Sequence, residues 1–210
     1  MSRLFEELDY QVTDIGAVSL RRRLILSLNV DVFEVLLGEE HLMSSLFTAS
    51  EIALAKLGLE ALGDADAQSW DVVVGGLGLG YTAGAVLEDK RVASLQVVEF
   101  LQPVIDWHEQ HLVPLDPPLS ADARCTVRHG DFFALAASDD GFGKPQDAIL
   151  IDIDHTPDWL LDQRSGSFYS EEGLRQLARH LKPGGVMGLW SDAQTDEVFV
   201  ARMASVFESA

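Results

Sequence analysis

Cysteine is nearly absent from these 210 residues: Cys125 stands alone, so an internal disulfide is impossible and a cysteine-rich zinc site is excluded. Long apolar runs are missing as well. Without a stretch of about 18 apolar residues, no membrane-spanning helix is expected. The opening MSRLFEELDY is acidic and lacks the apolar core of a secretion signal, which makes the cytoplasm the expected compartment. Positive charge is scarce. Only 15 lysines and arginines face 34 acidic residues, a formal net charge of −19. A surface of that sign repels nucleic-acid backbones and anionic membranes, so neither is expected as a partner, whereas cations, polyamines included, are attracted to it.

What is present, 47% hydrophobic and 23% charged, fits a soluble globular chain with one sizeable core. Its organising stretch is DVVVGGLGLGYTAGAVLED, from Asp71 to Asp89. Val72, Val73 and Val74 form a short β-branched run that reads as a buried strand. It breaks into Gly75, Gly76, Gly78 and Gly80, after which 81–87 carries apolar residues at helical spacing. A strand, a glycine loop and a helix start in this order make a nucleotide cradle. Glycines let backbone N–H groups approach a ligand closely, and a helix N-terminus favours negative charge. The loop admits two ligands. Gly76-Leu77-Gly78-Leu79-Gly80 has the G-x-G-x-G form found in motif I of S-adenosylmethionine-dependent methyltransferases, while Gly78 to Ala83 satisfies the G-x-G-x-x-A dinucleotide pattern. A phosphate P-loop is excluded, because no Gly-Lys-Ser/Thr follows.

Before this loop, residues 1–47 read as a small β-hairpin unit. Gly16-Ala-Val-Ser-Leu and Val30-Asp-Val-Phe-Glu-Val-Leu-Leu are strand-like, Gly38-Glu39-Glu40 supplies a turn, and Arg21, Arg22 and Arg23 are read as a solvated strand end. A second domain, 48–210, starts with a helix over 51–62 that Thr48 or Ser50 could cap. A strand over 93–98 ends at Glu99, nineteen positions beyond Gly80, where nucleotide-binding βαβ units place an acid against the ribose hydroxyls. Pro103 opens a helix over 104–112. His108 and His111 lie on it beside Asp106 and Glu109, and they read as an exposed face rather than as a metal site, since no further ligand is evident. Further strands are expected at 123–129, closed by Gly130-Asp131, at 148–151, ending in Asp152-Ile153-Asp154-His155-Thr156-Pro157, and at 186–190. A helix over 171–181 is expected to end at Lys182-Pro183-Gly184-Gly185, and a last one spans 196–207. Strands alternating with helices mean an α/β fold with a parallel sheet, whose ligands bind at the carboxyl ends of the strands. Gly76, Gly78, Gly80, Glu99, Asp131, Asp152 and Asp154 all fall there.

Taken together, these residues resemble the spermidine synthase (polyamine aminopropyltransferase) family, which shares the Rossmann-like methyltransferase fold. An N-terminal β unit, the G-x-G-x-G loop, an acid ending the second strand, Gly-Asp after the third, an acidic fourth strand end and LKPGG occur in the family's order. The resemblance implies that S-adenosylmethionine or its decarboxylated form is the co-substrate. Gly76, Gly78 and Gly80 would cradle it, Glu99 would hold its ribose and Asp131 its adenine amino group, with no metal required. Asp152 matches the first aspartate of the family's D-S-S/T-D-P motif and would be the catalytic residue that orients the attacking amine, with Asp154 and His155 on the acceptor side. An aspartate at its reference pKa near 3.9 is a weak base for such an amine, so its expected role is to hold the ammonium. The acceptor stretch departs from the family: His41 stands at the usual glutamine, Leu46 and Phe47 at an acidic pair, and Ser50 at the tyrosine.

The expected function is therefore transfer of an aminopropyl group to a polyamine acceptor. Alternatives are a small-molecule methyltransferase, a catalytically silent nucleoside-binding homologue, and an NAD-dependent oxidoreductase. Two further strands usually follow the fifth in this fold, and none is legible after 207. Either the chain is cut short or a partner covers the open sheet edge, and a homodimer is expected.

Overall fold

The computed structural model describes residues 4–63, 69–153, 156–157, 159–191 and 196–209. Four antiparallel strands come first, β1 (Phe5–Thr13), β2 (Gly16–Ile25), β3 (Val30–Leu37) and β4 (Glu40–Ser44), hydrogen-bonded in chain order. The N-terminal unit is thus a four-stranded meander, larger than the hairpin read from the sequence. β1 escaped that reading because its acids and apolar residues do not alternate cleanly. Its partner explains them: Glu6 and Glu7 lie opposite Arg22 and Arg21. The arginine run is a paired strand interior, with Arg22 on Glu6 at 3.1 Å and Arg23 on Glu34 at 2.8 Å.

After helix α1 (Ala49–Glu60) the chain alternates: β5 (Trp70–Gly75), α2 (Tyr81–Glu88), β6 (Val92–Glu99), α3 (Gln102–Glu109), β7 (Cys125–His129), α4 (Phe132–Ala137), β8 (Gln146–Ile151), α5 (Glu171–Ala178), β9 (Leu181–Leu189) and α6 (Glu197–Ala204). The five later strands form one parallel sheet in the order β7-β6-β5-β8-β9. Consecutive residues of its central strands go to opposite faces, as a pleated strand requires. Val72, Val74, Val97 and Leu150 join the core under the N-terminal sheet, α1, α2 and α3, whereas Val73, Val98, Ile149 and Ile151 join a second core under α4, α5 and α6. Both faces are covered, which is why these strands are nearly continuous apolar runs.

Val18, Leu20, Val35 and Leu37 of the N-terminal sheet belong to the same core as Leu77, Leu79 and Trp107 of the parallel-sheet part. A polar tie reinforces the joint: the Trp107 indole N–H donates to Asp9 at 2.7 Å. The LKPGG segment, expected to be a turn before the fifth strand, instead opens β9, with residues 182–185 looped out between the Gln146–Leu181 and Ala148–Val186 pairs. Lys182 reaches from it to Asp147 at 2.7 Å and Asp71 at 3.1 Å, binding the amino ends of β8 and β5. That is the end of the sheet opposite the site.

Candidate active site

The strand ladders run past their last residues and draw the carboxyl ends together. Gly76 N–H donates to Val98, Gly130 N–H to Glu99, Asp152 N–H to Gly75 and Trp190 N–H to Ile151, at 2.8–2.9 Å. Above these ends lies a cavity of about 490 Å³ bounded on its far side by the N-terminal sheet. Gly76, Gly78, Glu99, Asp131 and Asp152 line it. Gly80 does not. It caps α2 in a left-handed conformation, with His108 and Leu115 closing on it from behind. Asp154 and His155 lie outside the described residues.

Glycine is required at Gly76 by contact as well as by conformation. Its φ is +91°, and a Cβ there would stand 2.1 Å from the Asp152 carbonyl oxygen. The loop is fixed from two sides. His108, expected on an exposed face, is largely buried and bonds through Nε2 to the Gly78 carbonyl at 2.9 Å. Burial lowers its pKa, so the neutral imidazole donates to that carbonyl. From β4, Met43 Sδ accepts the Leu79 N–H at 3.0 Å.

Glu99 is 8% exposed, and both of its oxygens accept backbone amides, Oε2 from Leu77 and Oε1 from Leu101, each at 2.8 Å. It ties the glycine loop to the turn after β6. Burial raises its pKa, and the surrounding amides oppose that rise. Asp131 caps α4, with Oδ1 accepting from Phe133 and Ala134. The α4 helix was absent from the sequence reading, because six residues dominated by Phe and Ala carry no amphipathic period.

Asp152 is part of the cavity lining. Thr82 Oγ1 donates to its Oδ2 at 2.5 Å, and its pKa is pushed up to about 6, first by burial, then by the charge of Glu51, with the Thr82 bond opposing both. Glu51 is a site residue that sequence reasoning missed. It opens α1, is 7% exposed and lines the cavity beside Tyr81, whose phenol pKa is raised by burial and by the Glu51 charge. Nothing local marks it, since a first-turn glutamate is ordinary helix chemistry. The four positions read as the altered acceptor side lie off the cavity wall: His41 is exposed and 3.8 Å from Glu34, Phe47 is 77% exposed, Leu46 is absent from the lining, and Ser50 turns its hydroxyl onto Glu51 at 2.7 Å.

Among the described residues no group of three or more His, Cys, Asp or Glu side chains is arranged to hold a metal, and no helix is long and apolar enough to cross a membrane.

No family model matches the sequence, and neither does any curated protein. Solved structures do match in three dimensions. The spermidine synthase from Thermotoga maritima superposes with a TM-score of 0.72 at 17% identity, over 96% of this chain and 64% of that one. A spermidine synthase in complex with the transition-state analogue AdoDATO gives 0.74 at 17% identity, over 96% of this chain and 65% of that one. A probable spermidine synthase from Corynebacterium glutamicum gives 0.67 at 16% identity, over 99% and 72%. The chain spans just under two thirds of the length of the first two. At such identities the likeness defines the fold: this is a spermidine synthase-like α/β fold, a parallel five-stranded sheet behind an antiparallel N-terminal one.

Proposed function

We propose that the protein is a spermidine synthase-like transferase, moving an aminopropyl group from decarboxylated S-adenosylmethionine to an amine. One observation carries the reading: Asp152 stands in the same cavity as the glycine loop and Glu99, with its carboxyl raised to about 6. The nucleoside would lie over Gly76 and Gly78, its ribose toward Glu99. Its flat base would enter the apolar slot of Leu101, Val104, Phe133 and Ala134 beside Asp131, a group able to accept from an exocyclic amino group.

The chemistry then needs alignment, a dry site and one proton acceptor. A bound ammonium gives a proton to the Asp152 carboxylate. Its freed lone pair forms a C–N bond at the propyl carbon attached to the sulfonium, the C–S bonding pair leaves on sulfur, and neutral methylthioadenosine results. The product is a secondary ammonium that keeps the other two nitrogen protons, and Asp152 returns the one it took to water through the cavity. The higher pKa of Asp152 narrows the gap to an ammonium near 10, making it a better acceptor than an ordinary aspartate.

The test incubates the protein with decarboxylated S-adenosylmethionine and a panel of amines and looks for methylthioadenosine. Product with any amine, lost in Asp152→Asn, is the expected outcome. S-adenosylhomocysteine formed from S-adenosylmethionine would replace this reading with methyl transfer. Tight nucleoside binding without any product would leave a silent binding protein.

A further inference from the structure

One wall of the cavity that holds Asp152 is set by a fault in the N-terminal sheet. Glu34 pairs with Ser44 and Val35 with Met43, but Leu36 pairs with His41, so Leu42 is an extra residue in β4. Such a bulge re-aims the side chains on either side of it. Here His41 is turned outward, while Leu42 and Met43, although adjacent, both line the cavity with Val35 and Ile15. A strand without the bulge would send one of the two to the other face.

The same cavity is lined by Glu51 and Asp152, and no ion pair holds either of them among the described residues. Glu51 is nine-tenths buried, and its one hydrogen bond among the described residues is the Ser50 hydroxyl on Oε2, which leaves Oε1 unpartnered. Asp152 has the Thr82 hydroxyl on Oδ2. Four other described carboxylates share the lining. Glu99 accepts two backbone amides, Asp131 caps α4, Asp162 holds Arg164, and Glu172 is an exposed residue of α5. Burying an acid without a counter-charge is costly unless a ligand supplies that charge.

We infer that the acceptor is an amine with a single positive charge and an apolar body, its ammonium seated between Glu51 and Asp152 and its body against Ile15, Val35, Leu42 and Met43. This rests on the transferase reading and narrows its substrate class. A diamine would place its second ammonium against hydrocarbon, where it would lose hydration with no partner in return.

Calorimetric titration of the protein with n-hexylamine, 1,4-diaminobutane and n-hexanol tests the seat, each with and without methylthioadenosine. Hexylamine should bind at least about tenfold more tightly than either of the others, since it alone offers both a charge and an apolar body. Glu51→Gln should weaken hexylamine by about tenfold or more while the melting temperature is retained. Leu42→Glu, which adds a carboxylate to the apolar wall, should shift preference toward the diamine. The seat is overturned if the diamine binds as tightly as hexylamine, if neither amine binds, or if Glu51→Gln has no effect. Methylthioadenosine titrated into the same samples reads the nucleoside site separately. Hexylamine binding without methylthioadenosine binding would support the seat and sink the nucleoside reading.

Discussion

Asp152 is where local chemistry and fold stability pull apart. Its carboxyl ionises at about 6 in the folded chain against 3.8 as an ordinary aspartate. A raised folded pKa adds stability that is fully present below the unfolded value and is lost as pH rises between about 4 and 6. Asparagine keeps an acceptor for Thr82 and has nothing to ionise. Asp152→Asn should therefore leave the melting temperature nearly unchanged at pH 4 and raise it at pH 7, while abolishing transfer. A difference in melting temperature that does not depend on pH would refute this account of the residue. Activity of the unaltered protein should fall on the acid side through about pH 6, because the protonated form accepts no proton.

At the scale of elements, the loop between β5 and α2 is held by contacts from three directions. Gly76 meets the backbone after β8, Glu99 binds the Leu77 amide, and His108 of α3 binds the Gly78 carbonyl. Gly76→Ala combines a positive φ with a backbone collision and should cost on the order of 3 kcal/mol in urea unfolding, with loss of nucleoside binding. Gly38 offers the control. It also has positive φ, at +62°, but nothing lies within 4 Å of an added Cβ. Its alanine variant should cost only about 1 kcal/mol, the conformational part alone. Equal costs at the two positions would mean that the close approach to Asp152 is not what fixes the loop.

At the scale of the whole molecule, the two sheets share one hydrophobic core. Removing residues 1–47 would strip the cover from Leu77, Leu79 and Trp107 and leave the Trp107 indole without Asp9. A chain beginning at residue 48 should lose cooperative thermal unfolding and expose apolar surface to a dye such as ANS. Retention of a sharp transition would show that the parallel-sheet part folds by itself. Packing across the join between β4 and α1 is what the sequence left out.

The alternation of strand and helix, the glycine loop, and the carboxyl-end positions of Glu99, Asp131 and Asp152 are legible in the chain before it folds. Each of these is written within a few neighbouring residues, as β-branched runs, glycines that permit positive φ, and acids that follow a strand. The sequence also placed LKPGG between α5 and the last strand, though not inside β9, because a loop-out depends on the partner strand's register. The surroundings of Asp152 arise from folding alone. Glu51, Leu42 and Met43 come from elements distant from it in the chain, and a one-residue bulge in β4 accompanies the presence of both Leu42 and Met43 on the cavity wall. The pKa of Asp152 likewise follows from enclosure and from the nearby Glu51 charge, neither of which is a property of the segment that carries it. Backbone preference acts over a few residues, whereas burial and electrostatic coupling depend on every element that closes around a group.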